Sequence, residues 1–401
     1  MRSLTRRRPT EANRAGPGRA PTTLGGVVQR TETDHEHLAR AIELAERGVG
    51  AVSPNPVVGA VIVKDDKVVG EGWHEDYGGP HAEVNAIASA AGIDLHGATL
   101  YVSLEPCCHQ GQQPPCTDAI LAAGIARVVV ASDDPTEKAS GRGLGILRDE
   151  GVEVDLAGGE LAARARQQNQ AFRKHARTGR PWVLFKSAMS LDGKVATKTG
   201  DSKWISSEDA RLLGHRWRAA CDAVAVGIGT ALADDPQLTA RIEGVRHQPR
   251  RVVFDATGRL PLDSKLVAAA PDPPLVVVVS RAAPRANTDG LEMAGAEVIV
   301  ATGENEPARV RSALDQLGAL DPPVTSMLLE GGPHLAGAFL DGGEIDEVRL
   351  FLAPLLLGGR SARDPLEGEG VDAISDALRA LTLECDKVAG DVLVSARLRE
   401  W

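Results

Sequence analysis

Short apolar runs alternate with amphipathic segments along most of the 401-residue chain. In the first half, the pattern predicts strands over residues 57–63 and 67–72 and a helix that opens at His81. In the second half, the leucine and four valines of residues 275–279 have the length of a buried strand, and helical patterns separate this run from similar ones. Strands and helices that alternate in this way form layered domains, with helices covering a sheet. The fold class is therefore predicted to be α/β.

A polar helical pattern over residues 161–177 ends at Gly179, Arg180 and Pro181, and a new strand pattern follows directly. Because glycine and proline interrupt regular structure, this turn is the predicted domain boundary. Neither half repeats the other, and the chain is long enough for two domains of about 180 residues. The predicted division is a tail at residues 1–30 and two unlike α/β domains at residues 31–178 and 179–401.

The first thirty residues contain seven arginines and a single acidic residue, Glu11. This composition is typical of a disordered basic tail, or of residues that precede the true start of translation. A transit peptide is an alternative, but serine is scarce and no amphipathic helix emerges. The segment also lacks the apolar centre of a secretory signal.

The composition argues against several classes of function. A net charge of −10 and 3% aromatic residues argue against a nucleic-acid-binding surface. No apolar run approaches the ~20 residues of a membrane span. The five cysteines are odd in number and clustered, unlike an extracellular disulfide framework, which predicts a cytoplasmic protein in a reducing compartment.

The first half carries a pattern typical of a zinc site. His-Ala-Glu at residues 81–83 is followed by Glu-Pro-Cys-Cys-His at residues 105–109 and by Cys116. One imidazole and two thiolates would leave one position of a zinc ion open for water, and Glu83 would act as a proton shuttle. Zinc nucleobase deaminases use His-x-Glu and Pro-Cys-x-x-Cys, whereas here eight residues separate Cys107 from Cys116. Cys107 and Cys116 are the favoured thiolates, with Cys108 and His109 as competing ligands.

Two further polar residues of this half are candidates for the same pocket. Asn55 lies in a proline-rich turn before the first strand, where its amide is either structural or bonds a substrate. His74 follows the second strand and is either a loop histidine or a pocket residue.

The second half lacks a dinucleotide fingerprint, because Gly227 and Gly229 are not followed by the third glycine. Instead, Glu-Gly-Gly-Pro at residues 330–333 falls between a predicted strand and helix, where free backbone N–H groups attract a pyrophosphate. Arg218 and Arg241 are suited to grip a phosphate, and Trp204 offers a flat apolar face.

Taken together, these blocks resemble the bifunctional riboflavin-biosynthesis deaminase-reductases over roughly residues 34–400. The deaminase blocks of that family are matched by residues 55–59, 81–83, 105–107 and the nine-residue step to Cys116. The reductase blocks are matched by residues 186–194, 200–206, 227–241 and 330–333. One departure is Cys108, where the family more usually has serine.

The resemblance implies a cytidine-deaminase-like three-layer α/β/α domain followed by a dihydrofolate-reductase-like α/β domain. It implies one Zn²⁺ per chain on His81, Cys107 and Cys116, with Glu83 catalytic, and NADPH in the second domain. The NADPH contacts implied by motif are Ala188, Trp204, Thr230, Asp234, Ala256, Gly332, Pro333, His334, Leu335, Ala336, Gly337 and Ala338. The substrate contacts are Asn55, Lys186, Ser202, Arg218, Leu238, Arg241 and Glu330.

The implied first reaction releases ammonia from 2,5-diamino-6-(5-phosphoribosylamino)pyrimidin-4-one. The implied second reaction reduces the ribosyl group, giving 5-amino-6-(5-phosphoribitylamino)uracil. The expected partner is this phosphoribosylated substrate, without nucleic acid or membrane, in a homo-oligomer that is a dimer or a tetramer. Three alternatives remain open: an RNA deaminase fused to a binding domain, an inactive structural relative, and a protein with only one active half.

Overall fold

The computed structural model describes residues 32–203 and 205–401. The predictions for the basic tail at residues 1–30 and for Trp204 lie outside the described residues. Within the described part of the chain, no helix is both long enough and apolar enough to span a membrane.

The first domain is a five-stranded sheet covered by helices on both faces. The strand order is β2-β1-β3-β4-β5, in which β1 is antiparallel to β2 and β3, and β3, β4 and β5 are parallel. The elements are α1 (Glu32–Ala45), β1 (Gly59–Lys64), β2 (Lys67–Trp73), α2 (Ala82–Ser89), β3 (Thr99–Val102), α3 (Cys116–Ala122), β4 (Arg127–Val130), α4 (Arg142–Asp149), β5 (Glu153–Leu156), α5 (Gly159–Gln168) and α6 (Gln170–Thr178), with a 3-10 turn at Glu46–Gly48.

Apolar side chains alternate between the two faces of this sheet, and each face has its own layer of helices. Ala60 and Ile62 of β1 pack with α2, α3 and α4, whereas Val61 and Val63 pack with α1 and α5. Helix α1 lies very close to β1, because a Cβ on Gly59 would be 2.1 Å from the Ala41 carbonyl oxygen. The predicted three-layer α/β/α arrangement is confirmed.

The predicted single helix over residues 161–177 is two helices in the structure. Asn169 interrupts them with φ −107° and ψ 22°. Its buried side chain accepts a hydrogen bond from Val57 N at 2.9 Å and donates one to Val57 O at 3.0 Å. The break is explained by these bonds, which satisfy the backbone of a turn 112 residues away in the chain.

The second domain is built on a nine-stranded sheet of order β10-β9-β8-β7-β11-β6-β12-β14-β13. The strands from β10 to β12 in this order are parallel, and β14 is antiparallel to both β12 and β13. The elements are β6 (Trp182–Ser190), α7 (Glu208–Ala220), β7 (Ala223–Gly227), α8 (Ile228–Asp234), β8 (Arg250–Phe254), α9 (Lys265–Ala268), β9 (Leu275–Ser280), α10 (Arg285–Met293), β10 (Glu297–Ala301), α11 (Glu306–Gly318), β11 (Ser326–Leu329), α12 (Pro333–Asp341), β12 (Glu347–Ala353), β13 (Thr382–Val388) and β14 (Asp391–Arg397), with a 3-10 turn at Ile374–Asp376.

Helices cover both faces of the parallel part of this sheet. Leu314 of α11 and Phe339 of α12 belong to the core on one face, and Leu266 of α9 and Leu291 of α10 belong to the core on the other. Ligands of open parallel sheets bind at the carboxyl ends of the strands, and the candidate reductase residues come from that edge. The predicted reductase-type α/β domain is confirmed.

Two candidate active sites

His81, Cys107 and Cys116 meet at one point of the first domain. His81 immediately precedes α2, Cys107 lies in the loop after β3, and Cys116 is the first residue of α3. His81 Nδ1 is 3.2 Å from Cys116 Sγ and 3.4 Å from Cys107 Sγ, and all three donor atoms lie within 4.8 Å of one another. Zinc–nitrogen and zinc–sulfur bonds at a tetrahedral angle put these atoms about 3.6 Å apart. The donor set and its spacing therefore fit a zinc ion.

The two cysteines form one local unit. Cys116 N donates a hydrogen bond to Cys107 Sγ at 3.4 Å. A hydrogen bond from the Cys116 thiol, with a further one from His81, lowers the pKa of the Cys107 thiol. Cys107 is thus readily available as a thiolate, the form that binds a metal.

The competing ligands lie outside this cluster. Cys108 Sγ points to the backbone, where it is 3.8 Å from the Lys138 carbonyl oxygen. His109 is exposed. The geometry brings together His81, Cys107 and Cys116 and leaves Cys108 and His109 apart from them.

Glu83 lies beside the thiolates without being one of the three grouped donors. It is the second residue of α2, its side chain is buried, and it shares a hydrogen bond with Cys116. Burial, with a contribution from the nearby Cys107 charge, raises the pKa of Glu83 to about 7. A carboxyl group with this pKa can both take up and release a proton near neutral pH.

Asn55 and His74 form a hydrogen-bonded pair. His74 Nδ1 is 3.0 Å from the Pro80 carbonyl oxygen, which can only accept, so Nδ1 carries the proton. Burial lowers the pKa of His74, which favours the neutral ring, and its Nε2 then accepts from Asn55 Nδ2 at 3.1 Å. This hydrogen bond uses the amide nitrogen of Asn55 and leaves its amide oxygen as an acceptor for a ligand.

Glu105 has a role that sequence reasoning missed. Its Oε2 accepts hydrogen bonds from Gly141 N at 3.0 Å and Asp134 N at 3.4 Å, and burial raises its pKa. The carboxylate thereby ties the start of the Cys107 loop to residues 132–141. The sequence signal for this role was the position of Glu105, two residues before the candidate zinc ligand Cys107.

The second site is a cavity of about 860 Å³ at the carboxyl edge of the parallel strands. Predicted residues from six segments of the second domain, between Lys186 and Ala338, line it. The predicted residues that line it are Lys186, Ala188, Ser202, Arg218, Thr230, Asp234, Leu238, Ala256, Glu330, Gly332, Pro333, His334, Leu335 and Ala338.

A buried ion pair lies in this cavity. Arg218 Nε and Nη2 donate to Glu330 Oε1 and Oε2, both at 2.7 Å. Burial alone would raise the pKa of Glu330, but the charge and hydrogen bonds of Arg218 outweigh burial and lower it. Burial lowers the pKa of the neighbouring Lys186.

Two glycine-rich turns meet where a pyrophosphate could lie. A Cβ on Gly331 would be 2.7 Å from Gly227 N, so the turn before α8 and the turn before α12 touch through their backbones. Gly332 N donates to Thr230 Oγ1 at 3.0 Å, and the space beside Gly229 is open. The backbone N–H groups at the start of α12, with this open space, fit a dinucleotide phosphate.

Three predicted residues lie away from the cavity. Ala336 is fully buried in the core under the sheet, and Gly337 packs against the backbone of Glu367, only 2.4 Å from where a Cβ would be. Arg241 is exposed and lies in a neighbouring surface pocket with Arg216. Burial lowers the pKa of Arg241, and the nearby Arg218 charge lowers it further. The lining also includes Arg259, Arg309 and Arg363, which no motif indicated.

Comparisons with family models match both halves. Residues 31–132 match the cytidine and deoxycytidylate deaminase zinc-binding region. Residues 181–394 match the RibD C-terminal domain.

Relatives match nearly the whole chain. The riboflavin biosynthesis protein RibD of Actinobacillus pleuropneumoniae is 40% identical over 365 residues, which cover 91% of this chain and 95% of the relative. A solved structure of Acinetobacter baumannii RibD is 38% identical with a TM-score of 0.81, over 92% of this chain and 99% of that one. The diaminohydroxyphosphoribosylaminopyrimidine deaminase/5-amino-6-(5-phosphoribosylamino)uracil reductase of Thermotoga maritima is 35% identical with a TM-score of 0.78, over the same shares.

Proposed function

Because the chain belongs to the RibD family and is a bifunctional deaminase and reductase of riboflavin biosynthesis, we propose the substrate, cofactor and residues of each step. The first step hydrolyses 2,5-diamino-6-(5-phosphoribosylamino)pyrimidin-4-one with loss of ammonia, within residues 31–178. The second step reduces the ribosyl group of the product with NADPH, within residues 179–401. The meeting of His81, Cys107 and Cys116 beside buried Glu83 is the observation that carries the first assignment.

In the deaminase half, His81, Cys107 and Cys116 hold the zinc ion, which when bound lowers the pKa of a water molecule towards neutrality. Glu83 takes a proton from the attacking water and gives one to the departing amine, and its pKa of about 7 suits both transfers. Asn55, oriented by His74, accepts a hydrogen bond from the pyrimidine. Burial of Glu83 keeps bulk water away from the proton that it carries.

In the reductase half, the chain binds both reactants in one cavity. Ala188, Thr230, Asp234, Ala256 and the start of α12, together with Trp204, hold NADPH, which supplies a hydride. Arg218, Ser202, Leu238, Lys186 and Glu330, which line the cavity, hold the phosphorylated sugar. Arg241 lies in the neighbouring surface pocket and is left out of this set. These residues act by positioning C1′, after ring opening or iminium formation has made it electrophilic, next to the nicotinamide.

We propose further that the chain forms a homo-oligomer, a dimer or a tetramer, and works in the cytoplasm. Light scattering of the purified protein measures the oligomeric state directly. A monomer at micromolar concentration would contradict it.

The proposed function is tested on the purified full-length chain with the diaminopyrimidine substrate. We expect about one zinc per chain by atomic emission, since three ligands define one site. Ammonia release should need no NADPH. NADPH oxidation should need the deaminated product, which is either added directly or formed by the chain's own deamination of the substrate. NADPH oxidation that proceeds equally well without any pyrimidine, or ammonia release that survives removal of all zinc, would contradict the assignment.

A further inference from the structure

Helix α6 joins the two domains and carries two adjacent buried cations, Arg173 and Lys174, each with a side chain that is 2% exposed. We infer that Arg173 is a positioning residue for deamination: it fixes the loop of residues 132–136, and through Glu105 the Cys107 loop, against a residue of the second domain. The inference rests on the deaminase function proposed above. No motif of the sequence pointed to Arg173.

The guanidinium of Arg173 holds the loop of residues 132–136 by three contacts. Its Nη1 donates to the Asp133 carbonyl oxygen at 2.8 Å and to Ser132 Oγ at 3.4 Å, and its Nη2 donates to Asp133 Oδ2 at 3.3 Å. A buried guanidinium that loses its acceptors is costly, so these contacts restrict where the loop can lie. The planar group also fixes their directions, which a lysine could not do.

The same loop contacts the residue that opens the Cys107 segment. The Ser132 carbonyl oxygen accepts from Glu105 N at 2.9 Å, and Asp134 N donates to Glu105 Oε2 at 3.4 Å. Glu105 is two residues before Cys107, and Pro106 between them has little freedom. A shift of the loop would therefore move the thiolate and the wall of the pocket around it.

The other side of Arg173 is anchored in the second domain. Its Nε donates to the Trp401 carbonyl oxygen at 2.6 Å. Trp401 is held in turn, because its N donates to Gln170 Oε1 and its Nε1 to Asp346 Oδ1, both at 2.8 Å. The position of a deaminase loop thus depends on a residue 228 positions further along the chain than Arg173.

Lys174 provides a matched control. It is as buried as Arg173 and next to it on the same helix, but its ion pairs are with Asp346 at 2.6 Å and Glu344 at 3.7 Å, both in the second domain. Trp401 is held by Asp346 Oδ1 and Gln170 Oε1, whereas Lys174 bonds Asp346 Oδ2. Replacing Lys174 should therefore cost stability but leave Trp401, Arg173 and the loop of residues 132–136 in contact.

The test compares Arg173→Met, Arg173→Lys and Lys174→Met in the full-length chain, at a temperature where all three are folded. For Arg173→Met we expect kcat for ammonia release to fall about 10-fold or more, while kcat for NADPH oxidation with pre-deaminated substrate stays within about 2-fold. Hydrogen exchange at residues 105–107 and 132–141 should rise in the same variant. Arg173→Lys should recover part of the loss, because one ammonium can still reach a loop carbonyl.

Lys174→Met should lower Tm and leave both the ammonia-release kcat and the exchange of residues 132–141 unchanged. Equal losses of both activities in Arg173→Met and Lys174→Met would overturn the inference, because they would show a purely structural role. If Arg173→Met does not fold, Asp133→Ala replaces it in the test, because Asp133 is half-exposed. An unchanged kcat for ammonia release in Asp133→Ala would also overturn the inference. A wild-type chain that releases no ammonia would instead contradict the proposed function.

Discussion

Individual residues of the two sites differ in how far the sequence revealed them. The grouping of His81 with Cys107 and Cys116 was predictable, because their types and order are those of a zinc deaminase. The role of Glu105 was not, since its carboxylate accepts from the backbone N–H groups of residues 134 and 141, which only the fold brings near. The Arg218–Glu330 pair was also hidden, because 112 residues separate two side chains that each could have been a surface charge.

At Glu83, replacing the carboxyl group separates proton transfer from metal binding. Glu83→Gln keeps the shape of the side chain but cannot carry a proton. We expect zinc content to stay near that of the wild type and ammonia release to fall at least about 100-fold. Zinc is measured by atomic emission, ammonia by a coupled assay, and NADPH oxidation with pre-deaminated substrate serves as the internal control. Loss of both activities would contradict two independent sites.

At Arg218, truncation leaves the buried carboxyl group of Glu330 without its partner. Arg218 lowers the pKa of Glu330. Without Arg218, burial raises that pKa, and the proposed phosphate site loses a cation with paired donors. Arg218→Ala should raise KM for the phosphorylated substrate at least about 10-fold, and KM for NADPH much less. Steady-state kinetics with each reactant varied in turn measures both values. An equal rise of the two would show that Arg218 does not hold the sugar phosphate.

Among the elements, α3 begins at a proposed metal ligand. Cys116 is its first residue and is buried, whereas Cys108 lies in the preceding loop with its sulfur on the Lys138 carbonyl. Cys116→Ser should therefore lower zinc content sharply, because a serine hydroxyl is a poor zinc ligand. Cys108→Ser is the matched control and should keep about one zinc per chain. Unchanged zinc in Cys116→Ser would point to another ligand set.

The contact between α1 and β1 depends on Gly59. A Cβ at Gly59 would lie 2.1 Å from the Ala41 carbonyl oxygen and 2.6 Å from Ala45 N, so Gly59→Ala must push the helix off the strand. We expect a loss of about 1–3 kcal/mol or more in the free energy of unfolding, measured with denaturant. Gly145→Ala, in α4 with open space around it, should instead add about 0.5–1 kcal/mol. A stabilised Gly59→Ala protein would mean that the helix packs elsewhere.

Most long elements followed the apolar pattern, and the exceptions have physical causes. The strands β1, β2 and β9 agree with their predictions, because β1 and β9 are continuous buried runs and β2 alternates between buried and less buried residues. The break between α5 and α6 was missed, since Asn169 interrupts the helix only to bond the distant Val57. The outer strand β13 was missed because its residues are largely exposed and show no buried face.

For the molecule as a whole, Asp346 is the residue on which the junction of the two domains converges. It is fully buried and accepts from Lys174 Nζ at 2.6 Å, Val183 N at 2.8 Å and Trp401 Nε1 at 2.8 Å. Asp346→Asn leaves Lys174 as a buried cation with only a weaker partner, so the free energy of unfolding should fall by about 3–5 kcal/mol.

The matched control is Asp315→Asn, which removes the half-exposed partner of Arg180. Such an exposed pair contributes about 1 kcal/mol or less. Denaturant unfolding of both variants gives the comparison, and similar losses in the two would show that the junction is not a buried charge site.

The paired cations of α6 also bear on attempts to divide this protein into two enzymes. A gene cut after residue 178 would produce an amino-terminal fragment in which Lys174 lacks its partner Asp346 and Arg173 keeps its contacts to residues 132 and 133 but lacks Trp401. Engineers who want a free-standing deaminase would have to replace Lys174, for example with a neutral polar side chain, and keep Arg173 on the loop of residues 132–136 before judging whether the catalyst itself tolerates the separation.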